Sequence, residues 1–209
     1  MIRSNGARFI TVEGVEGVGK TTNIRFITQC LHTAGVSYVL TREPGGTVVA
    51  ESIRQLLLAK QDENLCELTE LLLVFAARAQ HIKRVIEPAL ANGKWVICDR
   101  FTDATYAYQG GGRGLSMNTI AQLENLVQGD LRPDVTYILD LPPAIGLKRA
   151  NQRGELDRFE QEKLEFFDKV RAVYLERAAQ EPERCIIIDA QAALATVQYN
   201  IGKHLKGLL

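Results

Sequence analysis

Little in this sequence points outside the ordinary globular protein, and each missing feature removes a class. The four cysteines, Cys30, Cys66, Cys98 and Cys185, are widely scattered and form no CxxC pair. Metal-ligand spacing is therefore absent, and buried free thiols in a reducing compartment are expected. No segment reaches the roughly 18 apolar residues of a membrane span, and the opening MIRSNGARF has no apolar core of a secretion signal. A cytoplasmic protein with no membrane partner is the expectation. Neither charge is in excess, since 25 Lys and Arg balance 25 Asp and Glu. A surface built to hold a nucleic-acid backbone is not expected from that balance. Repeats, low-complexity tracts and Pro/Ser-rich linkers are also missing, so the 209 residues are read as a single domain. A content of 46% hydrophobic and 24% charged residues suits one buried core.

What is present is an alternation of two periods. Five short apolar runs rich in β-branched residues, Phe9–Val12, Val36–Leu40, Trp95–Cys98, Val135–Leu139 and Cys185–Ile188, read as strands buried on both faces. Between them, Lys20–Thr33, Leu65–Ala91, Ser116–Val127 and Leu164–Ala179 carry helical periodicity. Strands alternating with helices predict an α/β fold, a five-stranded parallel sheet with helices on both faces. Gly35, Gly93 and Gly129 stand where helices should stop. Arg42–Thr47, Gln109–Gly114 and Asn151–Glu160 are the least regular stretches, and such loops commonly carry binding residues.

The strongest local signal is Gly14-Val15-Glu16-Gly17-Val18-Gly19-Lys20-Thr21, a full GxxxxGK[ST] between an apolar strand and a helix. Its glycines let successive backbone N–H groups turn inward on phosphate oxygens, and the helix N-terminus adds partial positive charge. Lys20 is expected to bridge the β- and γ-phosphates of a bound nucleotide, and the Thr21 hydroxyl to ligate Mg²⁺. Three strands end in an acid, at Asp99, Asp140 and Asp189. In a parallel sheet those ends share an edge with the phosphate loop. Asp99 is the candidate to face the metal through water, because Arg100 follows it; Asp140 and Asp189 are read as helix caps or loop anchors. A guanine-reading NKxD is absent, and the chain is small for a motor ATPase. A small-molecule kinase remains, its acceptor held by Thr41–Thr47, by Phe75 and Arg78, and by Asp99–Gln109.

At these positions the chain resembles the bacterial thymidylate (dTMP) kinases. The resemblance rests on GVEGVGKTT, TREPGGT, FAAR, DRFTDATYAYQGGGRG and RGELDRFEQE, in family order from residue 9 to about 175. It implies a P-loop NTPase fold, ATP and dTMP as substrates, Mg²⁺ with the ATP, and a homodimer, whose interface we expect on the apolar face of Leu65–Ala91. It extends the ATP-binding set to Thr22 and makes Lys20, Asp99, Arg100 and Arg153 the catalytic group. Arg42 and Arg100 inherit the acceptor phosphate, a role that guanidinium forks suit. Glu43 and Pro44 shape the same loop, often with a cis peptide. Arg78 matches the arginine that reads a thymine carbonyl, Thr105 matches a base contact, and Gln109 lies near it. Tyr108 matches the aromatic that favours deoxyribose, Glu16 an acid at the sugar 3′-hydroxyl, and Glu13 an acid associated with the metal.

Two departures from the family pattern stand out. The stacking aromatic usually lies four residues before the helix arginine, where this chain has Val74 with Phe75 beside it. Either Phe75 stacks on the base or the base rests on an aliphatic wall. Ala104 also replaces a frequent Ser. The segment at about 147–160 resembles the family's short mobile lid, with Arg153 its catalytic residue, although its charges also suit a solvated helix end. Two rivals remain at this level: a kinase with another acceptor, and a P-loop sensor without catalysis.

Overall fold

Each of the five apolar runs forms a strand. The structure, a computed structural model, describes residues 6–59, 63–152 and 158–209. β1 (Phe9–Glu13), β2 (Tyr38–Arg42), β3 (Trp95–Asp99), β4 (Val135–Asp140) and β5 (Cys185–Asp189) form one sheet in the order 2-3-1-4-5. Every pairing is parallel. β1, β3 and β4 occupy the centre and are buried almost throughout, as their unbroken apolar sequences require. The edge strands differ. β2 is only half-buried, with Leu40 exposed, and it starts two residues later than its apolar run. The chain first makes the turn through Gly35 and Val36 that closes the preceding helix.

Helices cover both faces. α1 (Lys20–Thr33) buries Ile24, Ile27 and Leu31, one stripe at helical spacing, against the sheet. α2 (Val48–Leu58) is capped by Thr47, whose hydroxyl accepts the Ala50 N–H at 3.1 Å, a contact typically contributing ~1 kcal/mol. The long helical stretch expected over 65–91 divides into α3 (Glu67–His81), a π-helical turn at Ile82–Ile86 and α4 (Glu87–Ala91). Pro88 accounts for the division, because it has no N–H for the carbonyl one turn back and its ring crowds that carbonyl. α5 (Thr102–Thr105) runs into a second π-helical segment, Tyr106–Gly112. α6 (Met117–Gln128), α7 (Pro143–Asn151), α8 (Leu164–Gln180) and α9 (Leu194–Lys206) complete the described elements. Gly35, Gly93 and Gly129 follow helices with φ of 70°, 72° and 53°.

The expectation of an irregular Gln109–Gly114 needs correction, since Gln109–Gly112 is helical, with Gln109 and Gly110 buried. Its glycines serve packing. A Cβ on Gly112 would collide with the Phe166 ring, so only glycine lets this segment lie against α8. Tyr106–Gly112 and α8 are thereby held face to face, and Tyr108 and Gln109 project from a rigid element rather than from a loop.

Candidate active site

The phosphate loop leaves the middle strand and enters α1, as the spacing required. Lys20 Nζ donates to the carbonyl oxygens of Gly14 and Val15, each at 3.0 Å, and lies 3.9 Å from Glu16 Oε2. Burial, with Arg100 nearby, lowers its pKa. α7 braces the loop from outside. A Cβ on Gly17 would collide with the Gly146 carbonyl, and one on Gly146 with the Glu16 carbonyl, so the two backbones touch where both residues are glycine. Thr21 and Thr22 are exposed at the head of α1 and line a cavity of about 610 Å³.

Strand register sets the next residues around that cavity. Arg42, Asp99 and Val12 are successive partners across β2, β3 and β1, so the end of each strand reaches the same level as the phosphate loop. Asp99 lines the cavity, and its Oδ1 is buried with no hydrogen-bond partner among the described residues. Arg100 has a left-handed backbone, φ 68°, a conformation costing roughly 1–2 kcal/mol for a residue with a Cβ. Its side chain compensates. Nη1 donates to Gly14 O at 2.9 Å and Tyr174 Oη at 3.2 Å, and Nη2 to Glu16 Oε1 at 2.7 Å. The same Glu16 oxygen accepts the Tyr108 hydroxyl at 2.8 Å, and the Arg100 guanidinium lies 4.7 Å from the Tyr108 ring centre.

Glu13 departs from the metal-associated role that the resemblance implied. It is fully buried, with Oε1 accepting the Phe101 N–H at 2.6 Å and Oε2 the Tyr174 hydroxyl at 2.8 Å. Burial, reinforced by the Asp103 carboxylate, pushes its pKa up to about 8, against the opposing pull of Arg100. Both oxygens are occupied, so Glu13 braces the junction of β1 and the Asp99–Phe101 turn. Asp140 and Asp189 are likewise engaged, by Arg171 at 2.6 and 2.8 Å and by the Gln191 N–H at 2.9 Å.

On the other wall the Glu43–Pro44 peptide is cis. Glu43 is buried and holds Arg78 Nε at 2.7 Å and His81 Nδ1 at 2.9 Å. Arg78 Nη2 donates to Thr105 Oγ1 at 2.9 Å and Phe101 O at 3.2 Å, while Nη1 is buried without a partner among the described residues. Arg78, Thr105, Tyr108 and Gln109 all line the cavity. Phe75 does not, which corrects its assignment as an acceptor contact. It packs with Leu71, Tyr106 and Ile120, its ring 4.9 Å from the Arg78 guanidinium, and Val74 lines the cavity instead. Val74 and Ala104 give that wall of the cavity an aliphatic surface.

Arg42 lines the cavity half-exposed and is tethered to Glu51 at 2.9 Å. Glu51 also accepts the Gly46 N–H at 3.0 Å, and that bond, then Arg42, lowers its pKa. Sequence reading missed Glu51, as it missed Arg54, whose Nη1 donates to Pro44 O at 3.0 Å. A residue in the first turn of a capped α2 facing the REPGG loop was the signal available. Arg149 and Phe159 line the cavity, whereas Arg153 lies outside the described residues. Arg158 turns away from the phosphate loop, donating to Leu57 O at 2.8 Å and Glu70 Oε2 at 2.6 Å.

A glycine-walled phosphate loop sharing one cavity with Arg42, Arg78 and Arg100 places the protein among the P-loop phosphotransferases that act on nucleotides. Residues 12–201 match the family described as Thymidylate kinase. The chain belongs to that family, and its activity is that of an ATP-dependent nucleoside monophosphate kinase. It is 62% identical over 201 residues to a thymidylate kinase of Pseudomonas syringae pv. tomato, covering 96% of each chain. It is 61% identical, with the same coverage, to one of Ectopseudomonas mendocina. Among solved structures it is similar to the thymidylate kinase of Ehrlichia chaffeensis, with TM-score 0.77 and 38% identity over 96% of this chain and 99% of the other.

Proposed function

We propose that this protein transfers the γ-phosphoryl group of ATP to dTMP, giving dTDP and ADP for dTTP synthesis. The observation that carries the reading is the single cavity into which the phosphate loop, Asp99 and the three arginines all open. The acceptor phosphate already presents an attacking oxygen, so no protein nucleophile is needed. Catalysis then consists of alignment and charge neutralisation. The loop amides of residues 14–21 and Thr22 hold the ATP phosphates. Lys20 leaves its own loop carbonyls to reach the transferred group. Arg42 and Arg100 clamp the dTMP phosphate, and Glu16 meets the sugar 3′-hydroxyl beside Tyr108.

Mg²⁺ fits the donor set. Among the described residues no three Asp, Glu, His or Cys converge, which suits an ion that keeps most of its waters. Thr21 and, through water, the unpartnered Asp99 Oδ1 would hold it. When bound, it would supply positive charge that offsets the charge developing on the nucleotide phosphates.

All 209 residues act as one kinase domain, with a lid at about 147–160 that supplies Arg153. A homodimer is the expected assembly. Leu68 and Leu72, one turn apart on α3, are exposed, as is Leu126 on α6, which packs beside α3. Among the described residues no helix is long and apolar enough to cross a membrane, which is compatible with a cytoplasmic site of action. ADP release measured with ATP against a panel of nucleoside monophosphates tests the reading. Preference for dTMP over every ribonucleotide is expected, and equal turnover of AMP or CMP would overturn it.

A further inference from the structure

Glu70 lies two turns before Arg78 on α3, outside the cavity wall and 1% exposed. Its carboxylate accepts from Gln109 Nε2 at 2.8 Å, from Arg113 Nε at 3.2 Å and from Arg158 Nη2 at 2.6 Å. Two of these three donors are guanidinium groups, and a carboxylate so clamped accepts hydrogen bonds without donating any. That constraint decides the orientation of a neighbouring amide. The two ends of a glutamine side chain have nearly the same shape, so shape alone leaves them interchangeable. Opposite Glu70 only the NH₂ end is compatible. Gln109 lines the cavity, and its oxygen is therefore the end left to face an occupant.

Arg78 supplies the complementary group, a buried Nη1 donor with no partner among the described residues. Gln109 and Arg78 together present one acceptor and one donor. A pyrimidine with an N–H next to a carbonyl, as in thymine or uracil, meets both. Cytosine, with a bare ring nitrogen next to an amino group, reverses both. We infer that Glu70 is a positioning residue that sets the acceptor-base specificity, by holding the Gln109 amide with its oxygen toward the cavity. The inference rests on the reading of this cavity as the dTMP site. A polar pocket discriminates by leaving its own buried groups unpaired when the wrong partner enters.

The experiment compares kcat/KM for dTMP and for dCMP, with ATP as donor, in wild type, E70Q, E70D and Q109A. A Gln at position 70 both donates and accepts, which frees the Gln109 amide to turn over. The dTMP-to-dCMP ratio should fall by about tenfold or more in E70Q, with KM for ATP unchanged, a size typical of one mispaired buried hydrogen bond. E70D, still acceptor-only, should keep most of the wild-type ratio even if both rates drop. Q109A should lose the ratio as E70Q does. An E70Q variant that slows both acceptors equally, or an E70D variant that loses the ratio as fully as E70Q, assigns Glu70 to packing alone and overturns the inference. If E70Q does not fold, E70D and Q109A decide together: a wild-type ratio in Q109A or a lost ratio in E70D overturns the inference, and a ratio lost in Q109A but kept in E70D supports it. Wild type inactive on dTMP would remove the functional reading and the inference with it, whereas an active wild type with an unmoved ratio in E70Q removes the inference alone.

Discussion

At Lys20 the structure shows a cation folded back onto the carbonyls of Gly14 and Val15, its pKa lowered by burial. Replacing it with Ala removes the charge that the transferred group requires while leaving two carbonyls that can meet water. Lys20→Ala should remain folded and lose more than ~10-fold in turnover, or over ~1.4 kcal/mol of transition-state stabilisation. Steady-state kinetics beside a thermal melt check it. Glu13 gives a pH prediction. Its native pKa of about 8 stands above the ordinary 4.5, so the folded chain keeps a proton that the unfolded chain has released. The stability this contributes is complete below about pH 4.5 and is lost as pH rises toward 8. Glu13→Gln should flatten the fall of Tm between about pH 5 and 8, and an unchanged slope would show that another group titrates there. Among single residues, those legible in advance form runs: the phosphate loop and the Asp99–Arg100 pair declare themselves by spacing. Phe75 was misplaced because the phase of α3 is set by packing on Tyr106 and Ile120, thirty and more residues away. Glu70 was invisible for the same reason, its partners lying 39 to 88 residues off.

Among the elements, the strands and the long helices could be read from periodicity, and the exceptions have identifiable physical causes. Pro88 opens α3 into a π turn, and Gly110–Gly112, a loop signal by composition, instead let a helical segment lie close to α6 at Gly110 and to α8 at Gly111 and Gly112. α7 provides a test of one contact. Gly146→Ala ought to favour the helix by up to ~1 kcal/mol, yet the new methyl meets the Glu16 carbonyl and displaces the phosphate loop. We expect a KM for ATP raised about tenfold with little change in KM for dTMP, since uniform loss of ground-state binding appears in KM. Equal shifts in both would mean that the loop moves together with the acceptor wall. The proposed lid follows α7 in sequence and includes Arg153. Single-turnover transfer should collapse in Arg153→Ala by on the order of 10³-fold, as for other arginine fingers, while dTMP affinity is nearly unchanged. Arg149, which lines the cavity, is the control. A larger loss in Arg149→Ala would move the finger one helical turn.

For the molecule as a whole, the exposed Leu68 and Leu72 of α3 form an apolar pair that the proposed dimer would cover. Sedimentation equilibrium should find a dimer at micromolar concentration, and Leu72→Arg should shift it toward monomer without unfolding it. A monomeric wild type would refute the assembly. The sheet itself has a further consequence. Arg42, Asp99 and Val12 are level with one another because backbone ladders hold β2, β3 and β1 in register. The relative height of Arg42, Asp99 and the phosphate loop is thus written in main-chain hydrogen bonds, and no side-chain substitution within those strands resets it. Insertion or deletion acts differently. Dropping one residue from β3 would put Arg100 where Asp99 stands and turn each following side chain to the opposite face. The register of the site thus withstands side-chain replacement in these three strands, even where Arg42 or Asp99 would be lost as chemical groups, and tolerates no change in strand length.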